Sequence, residues 1–158
     1  MPKINAETIP WKDTRSPKGT YQVSQRDLSL ALRGMKDTGT WGGGHPFDVA
    51  QAKIPPGASN WPLHVHTTQW EMYLFTAGTG ELREGEITYP VGPGDCCLLP
   101  PGEAHQVRNT GSVDLEYLVI ADNPQAEIVT YPASNKWMIK PQRKFFEMQE
   151  VDYYRGEE

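Results

Sequence analysis

The sequence predicts an all-β fold, and three observations carry that prediction. From Phe47 onward, strand-like runs recur every eight to twelve residues, the spacing of a sandwich or barrel. Turn signals separate them: Pro55-Pro56-Gly57, Gly78-Thr79-Gly80, Glu84-Gly85, Gly92-Pro93-Gly94 and Thr110-Gly111. No helix signature interrupts the series. The composition agrees: 15 Gly, 14 Pro and 37% apolar residues in 158 suit many short strands joined by turns.

In chain order, residues 1–45 form an extension ahead of the strand series. Ile9-Pro10-Trp11 and Ser16-Pro17-Lys18-Gly19 read as extended or turning chain. Residues 21–33 hold a strand or, over 26–33, a short helix; the alternation of Leu28, Leu30 and Leu32 favours the strand. Gly42-Gly43-Gly44-His45 is a loop. It lacks the Lys-Ser/Thr ending and following helix of a phosphate loop, which excludes that reading.

Eight strands then follow, over 47–54, 63–66, 71–77, 80–83, 87–91, 96–99, 105–109 and 115–121. The first carries Phe47, Val49, Gln51 and Lys53 on one face and Asp48, Ala50, Ala52 and Ile54 on the other. If the first of these faces lines the interior, Gln51 and Lys53 become polar groups of a pocket. Cys96 and Cys97 point to opposite faces and read as reduced, packed residues. Beyond Asn123-Pro124, residues 127–131 and 136–139 are expected as two more strands. The organisation is an N-terminal extension over 1–45, a barrel core over 46–123 and a C-terminal extension over 124–158.

Three of the four histidines share one pattern with a glutamate: His64, His66, Glu71 and His105. Imidazoles and a carboxylate suit a borderline divalent transition metal: Fe, Mn, Ni or Zn. His64 and His66 lie two apart, so they leave the same face of a strand. Glu71 lies five past His66, an odd offset that requires a bend at Thr67-Thr68-Gln69-Trp70. His105 arrives on another strand, directly after the turn Pro100-Pro101-Gly102-Glu103.

Here the chain resembles the cupins. Their first motif is matched by Gly57, His64, His66, Glu71 and Gly78, with one extra residue before His64. Their second is matched by Gly94, Pro100, Gly102, His105 and Asn109, with every spacing kept. The ending Val151-Asp152-Tyr153-Tyr154-Arg155-Gly156-Glu157 is similar to that of small bacterial single-domain cupins of a sugar-phosphate-isomerase-like kind. The resemblance implies a double-stranded β-helix, a jelly-roll barrel of cupin type, with one divalent metal held by His64, His66, Glu71 and His105. It implies no reaction, because one fold hosts many chemistries.

Tyr73 follows Glu71 by two and shares its face, so Tyr73 and Glu71 are the candidate catalytic pair. Trp61 and Trp70 flank the His-x-His strand and, with Gln51 and Lys53, are candidate substrate contacts. Three functions fit: a metal-dependent isomerase or lyase on a small polar substrate, a sugar phosphate among them; an Fe(II) dioxygenase; and a binding or sensor module without turnover. The net charge of −5 and the lack of a basic stripe argue against a nucleic-acid partner. No apolar run has membrane-span length, and the start Met-Pro-Lys-Ile-Asn lacks a signal-peptide core. A cytoplasmic location is expected. A homodimer is also expected, joined through the apolar Trp11, Tyr21, Leu28, Leu30 and Leu32 of the extension; the alternative that buries them equally is an extension folded back on its own barrel.

Overall fold

The computed structural model describes residues 3–158. Among these residues, β1 (Lys12–Arg15), β2 (Gln22–Asp27), β3 (Phe47–Ile54), β5 (Glu71–Ala77), β8 (Cys96–Leu99) and β10 (Leu115–Asp122) form one sheet. Its order is β1-β2-β3-β10-β5-β8. The second sheet holds β4 (His64–His66), β6 (Gly80–Glu84), β7 (Ile87–Val91), β9 (Ala104–Arg108), β11 (Glu127–Tyr131), β12 (Lys136–Lys140) and β13 (Lys144–Glu147). Its order is β13-β12-β11-β4-β9-β6-β7, and every paired strand in both sheets is antiparallel. The turn spacing anticipates a sandwich or barrel, and the jelly-roll form is the one that the cupin resemblance implies.

The bend at 67–70 takes the chain from β4 in one sheet to β5 in the other. The turn at 100–103 takes it from β8 back to β9. These two crossings bring residues distant in sequence to one end of the barrel.

Inward-facing residues stack in levels across the first sheet. Asp48, Ala121 and Glu71 are register partners at the open end. Ala50, Val119 and Tyr73 come next, then Ala52, Tyr117 and Phe75, and finally Ile54 with Leu115. The deeper levels belong to the apolar core with Val23, Leu82, Leu99 and Val107. Truncating a fully buried Phe75 to Ala would cost about 3–5 kcal/mol. At the upper levels the small Ala50 and Ala121 leave the barrel hollow.

Glycine is required at Gly78. Its φ is +73°, and an added Cβ would lie 2.3 Å from the Asp114 carbonyl oxygen. Asn109 is fully buried and clamps a turn: its Nδ2 donates to the Ile54 and Val113 carbonyls at 2.7 and 2.8 Å.

Two readings of the sequence are corrected. Leu28, Leu30 and Leu32 do not continue a strand: β2 ends at Asp27, and α1 (Leu28–Ala31) follows. One helical turn seats the buried Ser29, whose Oγ accepts from the Val49 N–H at 2.8 Å and fastens the turn to β3, while Leu30 stays exposed. The inward face of β3 is the one bearing Asp48, Ala50, Ala52 and Ile54. Gln51 and Lys53 therefore point away from the barrel interior. Ala and Ile fit the core without desolvating a charge, whereas a Lys there would need a partner.

The N-terminal extension adds β1 and β2 to the edge of its own barrel's sheet through β3. Among the described residues, no helix is long and apolar enough to cross a membrane.

Candidate metal centre

The adjacent strands β4 and β9 present His64 and His105 as direct register partners. His66 projects from β4 on the same inward side, and β5 supplies Glu71 from the facing sheet. One ligand atom from each of these four residues lies within 4.8 Å of the others. Two ligands bonded at about 2.1 Å on opposite sides of an ion are about 4.2 Å apart, so an ion fits with small side-chain shifts.

The chemistry of the donor set supports that fit. His64 Nδ1 lies 2.8 Å from the Pro62 carbonyl oxygen and His105 Nδ1 lies 3.1 Å from that of Glu103. A carbonyl only accepts, so each Nδ1 carries a proton and each Nε2 is the nitrogen left for the cluster. The His105 Nε2 faces Glu71 Oε2 at 3.1 Å, and the His66 Nε2 faces Glu71 Oε1 at 3.7 Å. Imidazole nitrogens turned toward a carboxylate need a cation between them, either a proton on the ring or a metal ion. Both nitrogens of buried His66 also lack a hydrogen-bond partner among the described residues. Leaving them so would cost about 1–3 kcal/mol each, which an ion on Nε2 would offset in part.

Burial, reinforced by the neighbouring His105 and His66, pulls the His64 pKa down to about 3, so its imidazole is neutral and ready to ligate. For Glu71 burial pushes upward, but the His105 hydrogen bond and the adjacent imidazoles outweigh it and hold the carboxyl well below the usual range. The Tyr73 hydroxyl donates to Glu71 Oε2 at 2.6 Å. Burial and the Glu71 charge push the Tyr73 pKa well above its ordinary value, so the phenol stays protonated.

A cavity of about 480 Å³ opens from this cluster. Trp61 and Tyr73 line it, as do three groups that the sequence did not single out, Lys36, Lys140 and Arg143. Asp37 joins the two extensions there: it lies 3.2 Å from Lys140 Nζ and 2.5 Å from an Arg143 guanidinium nitrogen. Asp48 lines the same cavity at the level of Glu71 and two strand spacings from it, about 10 Å. It is 8% exposed, and its Oδ1 has no hydrogen-bond partner among the described residues. Burial raises its pKa, Lys36 opposes this, and Asp37 and Asp27 add to it. A lone acid in an alternating Ala-Ile face was the available signal for Asp48. Lys36, Lys140 and Arg143 had none, because the contacts that place them are long-range.

The other candidate contacts lie elsewhere. Gln51 and Lys53 line a separate cleft of about 360 Å³ on the outside of the sheet, beside Trp11 and Arg26. Lys53 Nζ sits 4.9 Å from the Trp11 ring centre and 3.5 Å from Asp114. Trp70 is exposed and absent from the cavity wall; its backbone N–H donates to Asp122 Oδ1 at 2.9 Å and steadies the bend.

Comparison with known proteins agrees with this geometry. Residues 50–121 match the Cupin domain family. Over that stretch, just under half of its length, the chain is similar to a cupin domain. It is similar to an oxalate-binding protein of Thermotoga maritima, with 38% identity over 71 residues, 45% of this chain and 58% of that protein. The chain spans between 50% and 60% of the length of the curated relatives it matches. Two solved structures share the fold over 92% of this chain. One is a candidate sugar phosphate isomerase from Acidithiobacillus ferrooxidans, with TM-score 0.75, 20% identity and 92% of that chain covered. The other is a sugar phosphate isomerase of the cupin superfamily from Silicibacter pomeroyi, with TM-score 0.73, 24% identity and 90% covered.

Proposed function

We propose that the chain is a metal-dependent enzyme of the isomerase or lyase kind, acting on a small anionic substrate of the sugar phosphate class. The observation that carries this reading is one cavity lined both by the His64, His66 and Glu71 cluster and by Lys36, Lys140 and Arg143. Likeness in fold to the two isomerase structures supports the same class.

A bound divalent metal (Fe, Mn, Ni or Zn) would supply a Lewis acid for a substrate carbonyl. The protein's own groups then have separable roles. Glu71 stays ionised as a ligand. Tyr73, kept protonated, orients Glu71 and offers a proton to substrate oxygen. Asp48, unpartnered and raised in pKa, is the group suited to take a proton from substrate carbon and return it. The cations of the rim hold the phosphate, and Trp61 walls the cavity.

The test is proton exchange. The metal-loaded chain is incubated in D2O with aldose and ketose phosphates, and loss of the proton beside the carbonyl is followed by NMR. Metal-dependent exchange is expected, slowed about a hundredfold or more in Asp48→Asn and about tenfold or more in Tyr73→Phe. No exchange with any sugar phosphate overturns the reading.

A second reading is favoured by one observation, the 38% identity to an oxalate-binding protein: capture of a small dicarboxylate without turnover. Stoichiometric oxalate binding without exchange of any sugar phosphate would select it. The same wall also carries Val119, Val129, Met138 and Phe145, so an Fe(II) dioxygenase stands as a third reading, selected by metal-dependent oxygen uptake without proton exchange.

The proposal includes a cytoplasmic address, where the free Cys96 and Cys97 stay reduced. It also includes a homodimer. In this structure the exposed apolar side chains concentrate on the C-terminal extension, at Phe145, Phe146, Met148, Val151, Tyr153 and Tyr154. β13 is a sheet edge, so a second copy could pair there. A light-scattering mass near 17.8 kDa would refute the dimer.

A further inference from the structure

Each ligand histidine has one ring nitrogen turned toward the cluster, and the other must be held by something. For His64 and His105 the holder is a backbone carbonyl two residues earlier, at Pro62 and Glu103. His66 has no carbonyl in that role. Its Nδ1 faces the carboxylate of Glu127, 3.6 Å from Oε1, while its Nε2 faces Glu71. The ring thus lies between two carboxylates, one from the cluster and one behind it.

Glu127 opens β11 in the C-terminal extension, outside the stretch that matches the family. Its side chain is 1% exposed. Its carboxylate is fixed by the bend that precedes Glu71: Oε1 accepts from the Thr67 N–H at 2.7 Å, and Oε2 accepts from the Thr68 N–H at 3.1 Å and from the Thr68 hydroxyl. Oε1 also meets the Thr67 hydroxyl at 3.4 Å and the Thr68 N–H at 3.5 Å, contacts too long to compete with a shorter hydrogen bond from the His66 ring. Among the described residues, the unpartnered ring nitrogen facing Oε1 is His66 Nδ1.

We infer that Glu127 is a positioning residue for the metal centre. It accepts the His66 Nδ1–H, fixes the tautomer that presents Nε2 to the ion, and raises the basicity of that ligand. The gap of 3.6 Å is a few tenths of an ångström beyond a hydrogen bond and closes with a small rotation of the ring. By binding Thr67 and Thr68 as well, the same carboxylate couples the orientation of His66 to the bend that delivers Glu71. Two ligands from two sheets are set by one acid from the C-terminal extension.

The inference rests on the metal reading of the cluster, and the experiment separates the two. Chelator-stripped full-length protein is titrated calorimetrically with Co(II) at neutral pH. Glu127→Gln should bind Co(II) about 10–100-fold more weakly than the unmodified chain. Thr68→Ala removes the hydroxyl contact but leaves the carboxylate facing His66, and should stay within about threefold of the unmodified chain. Equal affinity of Glu127→Gln and the unmodified chain overturns the inference alone. So does a Thr68→Ala loss as large as that of Glu127→Gln, which would make Glu127 only a clamp on the bend. Failure of the unmodified chain to bind Co(II) overturns the metal reading and this inference with it.

Should Glu127→Gln fail to fold, imidazole NMR of the unmodified Zn(II)-loaded protein decides. A proton on His66 Nδ1, resonating further downfield than those of His64 and His105, is expected from a carboxylate acceptor. A His66 Nδ1 without a proton, or one no further downfield than the other two, overturns the inference.

Discussion

The metal cluster and the rim of its cavity are built by different means. The four candidate ligands fall between residues 64 and 105, and two of the histidines are oriented by carbonyls only two residues away in sequence. The rim is assembled from the ends of the chain. Asp37 meets Arg143 across 106 positions, and Lys140 Nζ donates to Gln69 Oε1 across 71. Local chain geometry specifies the chemistry, and long-range packing specifies what can reach it. This is why one barrel can host many reactions: the extensions can change while the strands that carry the ligands stay as they are.

The sharpest break between the two regions is in metal content. His66→Ala or His105→Ala should remove most bound metal, with the β signal in far-UV circular dichroism retained. Lys140→Ala, in the rim, should keep one ion per chain by elemental analysis. Unchanged metal in both histidine variants would show that the cluster is not the site.

Acid should also act first on the cluster. In the metal-free protein the His64 pKa is pulled from 6.5 to about 3 by burial and its histidine neighbours. Between these values the unfolded chain binds a proton at this position and the folded chain does not. Stability is therefore full above about pH 6.5 and falls as pH drops toward 3. Metal uptake also needs neutral ligand imidazoles, a condition that His64 in the folded protein meets down to about pH 3. Urea melts of chelator-treated protein at stepped pH check the first claim. A flat profile between pH 7 and 4 would contradict it.

The rim titrates lower. Burial opposes ionisation of Asp37, but Lys140 and Arg143 more than compensate and hold its pKa below the ordinary 3.8. Its contribution is present above that value and lost as pH falls below it. Asp37→Asn should cost about 1–3 kcal/mol at neutral pH, because it strips a charge partner from Lys140, whose side chain is 11% exposed. Arg143 is more than half exposed, and its share is screened. The gap between the variant and the parent should hold from pH 7 to about 5 and close below about 3.8. A gap that closes near pH 6 would point to a histidine instead.

How much of this was legible follows from the same contrast. The clustering of His64, His66, Glu71 and His105, the bend before Glu71 and the turn before His105 follow from local chain geometry, so residue type and spacing carried them. The alternation in β3 and β5 carried the strands, and Tyr73 emerged on the face of Glu71. What alternation could not supply was the inward face of β3, because either of its faces could have been buried. The helical turn at Leu28 was hidden because three leucines alternate as a strand would, and the deciding contact, Ser29 to Val49, spans 20 positions. Nothing in the local sequence singles out Lys36, Lys140 and Arg143. Glu127 read as the first residue of a strand, and only the pairing of β11 with β4 puts it behind His66.

The smallest effect tests the two faces of one strand. Asp48 and Lys53 lie five positions apart on β3, both charged, on opposite sides of the sheet. Asp48 lines the cavity of the cluster, and Lys53 lines the outer cleft. If the register of β3 against β10 is as described, Lys53→Ala should leave Co(II) affinity and sugar-phosphate exchange unchanged, whereas Asp48→Asn slows exchange. Its effect on stability should be no more than about 1 kcal/mol. The ion pair with Asp114 is partly exposed and 3.5 Å long, and the contact with Trp11 adds only a weak cation–π attraction. Slipping β3 by one residue would exchange the two faces, since side chains alternate with period two. Loss of exchange in Lys53→Ala with none in Asp48→Asn would therefore reverse the faces of β3, and with them the assignment of the cavity wall.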